Sequence, residues 1–210
     1  MPTTPAEWDE KHRRDANCHT DEPATILKEL LPLLPVGPAL DLACGSGRNA
    51  LFLARQTGAQ QRGVTAVDRS QVALESVERQ AIDGGIDISR GTRIEPASKG
   101  LHLVAADLEH AAIAPAAFSL IVCVRYLERR TFPRMAAALS PGGMLLFETY
   151  TKAQLEFAGG PKSPEYLLDA GELEAAFPEL ETVFYRELRA GQGIASLLAR
   201  KRSVWQSRVF

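Results

Sequence analysis

The stretch Ala39-Leu-Asp-Leu-Ala-Cys-Gly-Ser-Gly-Arg-Asn-Ala50 constrains the fold more than any other part of this chain. A strand-like apolar run, Ala39 to Cys44, meets Gly45-Ser46-Gly47. Helical periodicity begins directly behind it, with Ala50, Leu53 and Ala54 at i, i+3, i+4 spacing, and predicts a helix from about Gly47 to Thr57. Glycines at such a junction let the backbone turn tightly and let a ligand approach closer than a Cβ permits. Gly63 to Asp68 reads as the next strand, and Ser70 as the N-cap of a helix reaching about Ile82. Strand, turn, helix and strand in that order are the unit of a parallel sheet covered on both faces.

The rest of the chain continues the alternation. A helix is expected from Glu22 to Leu34, closed by Pro35. Asp83 to Gly100, with four glycines and a proline, reads as an extended loop. Leu101 to Ala106, Phe118 to Val124 and Met144 to Thr149 are further strands, with a helix at Phe132 to Leu139 between the last two. A short helix is expected at Gly171 to Phe177. Leu180 to Glu187 and Ile194 to Arg200 then follow too closely for a helical crossover, so they form an antiparallel hairpin. The fold class is α/β, a doubly wound, mostly parallel sheet that finishes with a C-terminal antiparallel hairpin.

Bulk properties narrow the function. A chain of 210 residues suits one substantial α/β domain, and a formal net charge of -2 argues against a surface built to neutralise phosphates. Nucleic acid is therefore not the expected partner, although Arg200, Lys201, Arg202 and Arg208 gather near the C-terminus. Cys18, Cys44 and Cys123 make neither a disulfide framework nor a metal-ligand cluster, so no metal site is expected and a reducing compartment fits. Met1 to Thr20 carries no secretory apolar core, and no apolar run is long enough to cross a bilayer. The expectation is a cytoplasmic protein without a membrane partner. Its oligomeric state is not written in the sequence.

The glycine turn and the acids around it point to a nucleoside-containing cofactor. A helix N-terminus behind the turn favours negative charge, and Asp68 at the next strand's end suits the two hydroxyls of a ribose. Gly45-x-Gly47-x-x-Ala50 also satisfies the dinucleotide fingerprint, which leaves NAD open. Three features lean the other way. Asp41, inside the first strand, sits badly beside a pyrophosphate and well beside a cation. Asp107, after the strand ending at Ala106, can accept a hydrogen bond from an adenine amine or cap a turn. The terminal hairpin is unlike the second half of a dinucleotide-binding domain.

Asp41 to Asn49 resembles motif I of class I S-adenosylmethionine-dependent methyltransferases, and is most similar to the tellurite-resistance TehB-like group with its D-L-G-C-G-x-G-R-N pattern. The likeness continues through Ala66-Val-Asp-Arg-Ser70, Ala105-Ala-Asp-Leu108, Phe118-Ser-Leu-Ile-Val-Cys123 and Leu139-Ser-Pro-Gly-Gly-Met144. It implies a Rossmann-like sheet of seven strands and S-adenosyl-L-methionine as cofactor. By position, Asp41, Ala43, Gly45 and Gly47 would line the methionine part of the cofactor, with Cys44, Arg48 and Asn49 also cofactor-binding. Asp68, flanked by Arg69 and Ser70, would hold the ribose, Asp107 and Leu108 would frame the adenine, and Cys123 with Arg125 would pass beneath the sulfonium. Ala43 stands where the group often has glycine, a small intrusion by one methyl. The resemblance also makes the lead-in Trp8 to Arg14 a lid, with Trp8, His12 and Arg14 facing cofactor or substrate. The whole chain, 1–210, is then one domain, divided into a lid and helix at 1–35, a cofactor-binding core at 36–150 and a substrate-side segment with the hairpin at 151–210.

The methyl acceptor is less legible. Transfer from a sulfonium is an in-line displacement that needs alignment and dryness more than catalytic groups. Arg125 and Tyr126 follow the fourth strand and Tyr150 the fifth, where ligands bind in open α/β sheets. Arg125 could orient an anionic acceptor or pair with Glu128 or a surface acid, and Gly159 to Leu168 could cap the pocket. The chain has no N/D-P-P-Y/F tetrad and no Pro-Cys pair of the kinds that serve base methylation. A small molecule, a thiol or a selenium or tellurium oxyanion by family likeness, is the expected acceptor. Nucleic-acid or protein methylation, and a non-catalytic cofactor-binding role, stand as the alternatives.

Overall fold

The computed structural model describes residues 4–15 and 22–203, so Cys18 and Arg208 lie outside the described residues. Helix α1 (Pro5–Asp15) and helix α2 (Thr25–Leu30) precede β1 (Ala39–Leu42), α3 (Arg48–Ala54), β2 (Val64–Asp68) and α4 (Gln71–Asp83). Then come β3 (Ile88–Gly91), β4 (Leu101–Ala105), β5 (Phe118–Val124), α5 (Phe132–Ala138) and β6 (Leu139–Tyr150). The chain finishes with α6 (Glu172–Ala175), β7 (Leu180–Arg189) and β8 (Gly193–Lys201).

The eight strands form one sheet in the order β3-β4-β2-β1-β5-β6-β8-β7. All neighbours pair in parallel except β6–β8 and β8–β7, so the expected terminal hairpin is present. Every residue of β1 and β2 is buried, because helices cover both faces and leave no solvated side. Ile26, Leu53, Leu74 and Val77 pack one face, while Phe132, Met135, Leu173 and Phe177 pack the other. From β1 the chain winds outward through β2 to β4, then returns to lay β5 on β1's other side. The crossovers diverge at that point, which opens a crevice at the carboxyl ends of β1 and β5.

Several expectations are corrected. The sheet has eight strands rather than seven, and the eighth lies inside the segment read as a loop: Ile88–Gly91 pairs with Leu101 to Val104. An edge strand needs only one apolar face, so Ile86 and Ile88 suffice, and the surrounding glycines dilute that pattern. The helix expected at Glu22 to Leu34 is α-helical only over Thr25–Leu30 and tightens to a 3-10 turn at Leu31–Leu33, where Pro32 has no N–H to donate. The helix after the glycine turn stops at Ala54, short of Thr57.

Candidate active site

Strands β1, β2, β4, β5 and β6 end around one cavity of about 910 Å3. At its centre the chain leaves β1 through three left-handed residues, Ala43 at φ +54°, Gly45 at +54° and Gly47 at +80°. At Gly47 a Cβ would meet Val77 Cγ2 at 2.5 Å, so glycine is required by space and by conformation alike. Ala43 departs from glycine in conformation rather than bulk: its left-handed backbone costs an L-residue roughly 1–2 kcal/mol. Strain of that kind collects at binding sites, and Arg125, at φ +64° directly after β5, is a second case on the same cavity.

Two acids sit at the turn. Asp68, ending β2, accepts the Gly45 N–H on Oδ2 at 2.8 Å and the Ser70 N–H on Oδ1 at 2.9 Å. Both oxygens are thereby fixed, each with acceptor capacity left for a ligand. Asp41 is buried on β1 beneath the turn, and its Oδ2 has no hydrogen-bond partner. Burial pushes its carboxyl up to about 7, with the Asp68 charge adding to the rise, while the Ala50 N–H and Arg48 pull against it. A buried carboxylate with an open acceptor is costly, and a ligand cation relieves that cost. Asp107, on the next loop, caps the turn by accepting the Glu109 N–H at 3.0 Å and pairs with Arg69 at 3.1 Å. Leu108 is buried beside it on the cavity wall.

Helix α1 closes one side. Asp9 accepts from the Ser70 hydroxyl at 2.6 Å and the Val72 N–H at 3.2 Å, so it joins Ser70 in capping α4. Burial opposes the charge on Asp9, but those two donors hold its carboxyl below the ordinary value. The docking turns Trp8, Lys11 and His12 toward the cavity, with His12 Cε1 over Gly45. Positions 8, 11 and 12 share one helical face. Arg14 lies off it, exposed beside Asp15 at 3.6 Å, so it is not among the lining residues and Lys11 takes its place.

The opposite side is built from β5, β6 and the hairpin turn. The Arg125 guanidinium stacks on Tyr150, 4.3 Å from the ring centroid, and donates to Gln192 Oε1 at 2.8 Å. Its acidic neighbour is Glu148 of β6, at 3.8 Å, and not Glu128, which is drawn to Arg130 by a 2.9 Å ion pair. Tyr126 lines the wall, and burial raises its phenol further above the ordinary value, at which it is already protonated at neutral pH. Arg129 draws Glu165 and Tyr166 over the opening through bonds to the Glu165 and Leu167 carbonyls and the Glu172 carboxylate.

Two further expected site residues are also tied into the fold. Cys123 is fully buried in the core rather than on the cavity wall, and burial raises its thiol. Asn49 lines the cavity, but its Oδ1 is committed to the Ala24 N–H at 2.9 Å, which ties α2 to α3. Gln192 carried no sequence signal, and Lys11 and Ser46 none beyond lying in the lid segment and the glycine turn, because their place depends on the hairpin turn and the docking angle of α1.

The comparisons agree with this geometry. The family model described as a methyltransferase domain matches residues 39–143, half of the chain. An S-adenosylmethionine-dependent methyltransferase from Mesorhizobium loti superimposes with TM-score 0.63 at 19% identity, over 85% of this chain and 98% of that one. Geranyl diphosphate C-methyltransferase from Streptomyces coelicolor A3(2) gives TM-score 0.62 at 14% identity, over 83% and 74%. The [4+2]-cyclase SpnF gives TM-score 0.63 at 18% identity, over 85% and 78%, so the fold alone leaves the chemistry to the site. No curated protein matches the sequence. With the matched family, the left-handed glycine turn and the paired acids of β1 and β2 in agreement, the chain belongs to the methyltransferase-domain family and is an S-adenosylmethionine-dependent methyltransferase.

Proposed function

We propose that the enzyme methylates a small molecule enclosed between α1 and the Glu165–Tyr166 segment, a thiol or a selenium or tellurium oxyanion in keeping with the TehB-like motif. The observation that carries this reading is the enclosure. About 910 Å3, covered by a docked helix on one side and a strapped segment on the other, is the size of a small-molecule site with its cofactor. When bound, S-adenosylmethionine supplies an activated methyl group. Asp68 accepts from the ribose hydroxyls, Asp41 answers the ammonium from below the turn, and Asp107 and Leu108 border the adenine. Trp8 and His12 exclude water above the turn. Tyr150 and Arg125 fix the acceptor in line, and with the Tyr126 phenol protonated, soft nucleophiles that need no base suit the site best. The whole chain acts as one domain in this reading, and it works without nucleic acid, membrane or metal.

The test is a tritium-transfer assay from labelled S-adenosylmethionine to thiols, selenite, tellurite, tRNA and a peptide mixture. Turnover with a small molecule, lost in Asp68→Asn, is expected. Label entering only tRNA or peptide contradicts the proposal.

A further inference from the structure

Arg48 and Arg125 both line the cavity, where Asp41 and Glu148 are the carboxylates that face them. Arg48, half-buried at the start of α3, forms no hydrogen bond or ion pair among the described residues. Arg125 uses one guanidinium nitrogen on Gln192, while its buried Nε has no hydrogen-bond partner, since Glu148 stands off at 3.8 Å. Glu148 faces Arg125 with Oε1 alone, its Oε2 accepting from the Ser196 hydroxyl at 2.8 Å. Asp41 is the other nearby acid, and it is the group that answers a cofactor ammonium. The two guanidiniums are close enough that, after burial, Arg125's charge is the strongest influence lowering Arg48's affinity for its proton. Two like charges held in a part-buried pocket, with donors to spare, are stabilised by an anion between them.

Position on the sheet says whose anion it is. Asp68 ends β2, on one side of β1. Arg125, Tyr150 and the turn holding Gln192 stand on β5, β6 and the β7–β8 connection, successively farther away on the other side. Adjacent strands are about 4.8 Å apart, so this cluster lies beyond the glycine turn and toward the acceptor.

We infer that Arg48 and Arg125, the latter braced on Tyr150 and Gln192, clamp an anionic group of the methyl acceptor, a carboxylate, phosphate or chalcogen oxyanion. The inference rests on the methyltransferase reading and narrows its substrate class. It moves Arg48 from the cofactor side of the site to the acceptor side.

The test uses the whole chain as wild type, Arg48→Gln, Arg125→Gln and Arg125→Lys. Each is titrated first with S-adenosylhomocysteine and with 5′-methylthioadenosine, which lacks the methionine carboxylate. The S-adenosylhomocysteine complexes are then titrated with inorganic phosphate and with acetate. The expected result is anion binding by the wild-type complex that weakens roughly tenfold or more in both glutamine variants, and in Arg125→Lys through loss of the planar fork. S-adenosylhomocysteine affinity should stay within about twofold, which also shows that the variants fold. Anion binding that is absent, or equal in all four proteins, overturns the clamp. A tenfold loss of S-adenosylhomocysteine affinity with 5′-methylthioadenosine unaffected also overturns it, because the anion is then the cofactor's own carboxylate. Failure of wild type to bind S-adenosylhomocysteine counts against the methyltransferase reading instead, and phosphate titration of the free protein still decides the clamp.

Discussion

Asp41 carries a charge problem, a buried carboxyl with an unpartnered oxygen, which in the proposed function the cofactor's ammonium solves. In the free folded protein it keeps its proton to about pH 7, whereas in the unfolded chain it ionises near the ordinary value of 3.8. Between those values the folded state binds more protons, so this group's contribution to stability falls as pH rises from about 4 to about 7. Asp41→Asn removes that slope. Thermal unfolding of the two proteins across this range should show the variant gaining on wild type as pH rises, and parallel curves would contradict the assignment. The ligand's ammonium selects the ionised acid, so S-adenosylhomocysteine should bind wild type more tightly as pH rises through 7, with proton release. The variant should bind weakly and without that dependence. This acid was legible in the sequence because a charged residue inside an apolar strand ahead of a glycine turn has few structural uses. Its missing partner was not, since that depends on which backbone groups reach it.

Among the elements, the glycine turn and the α1 docking rest on contacts that can be tested. Gly47→Ala sets a Cβ against Val77 in a left-handed backbone, and should cost about 2–4 kcal/mol in denaturant unfolding. Adding Val77→Ala should recover the steric share and leave the conformational one, so the double variant ought to be less destabilised than the sum of the singles. No coupling would mean that Val77 does not press on the turn. Asp9→Ala withdraws α1's acceptor from the Ser70 hydroxyl and Val72 amide, a loss of about 0.5–2 kcal/mol of capping. It should speed hydrogen exchange in α1 and weaken cofactor binding while the sheet amides stay protected. The elements themselves were readable where period and punctuation agree: Ser70 caps α4, and the short 189–193 connection forces the hairpin. They were unreadable where one apolar face is enough, as in β3, or where a single proline changes the helix type, as at Pro32.

At the scale of the whole molecule, the sheet order turns a linear sequence into a site. Returning from β4 to β5 brings Arg125 beside a glycine turn about eighty residues earlier, and the hairpin delivers Gln192 to the same wall. Sequence motifs could name Asp41, Asp68 and Asp107, because each lies at a fixed offset from a strand end. They could not name Lys11, Gln192 or the partner of Arg125, which depend on how far the sheet's later strands and the N-terminal helix fold back over it. The central claim is that this crevice holds an adenosyl cofactor and not a dinucleotide. Its most direct test is parallel calorimetric titration of the purified protein with S-adenosylmethionine, S-adenosylhomocysteine and NADH. Saturable binding of both adenosyl ligands and none of NADH is the predicted result. Binding of NADH, with no heat from either adenosyl ligand, would contradict it.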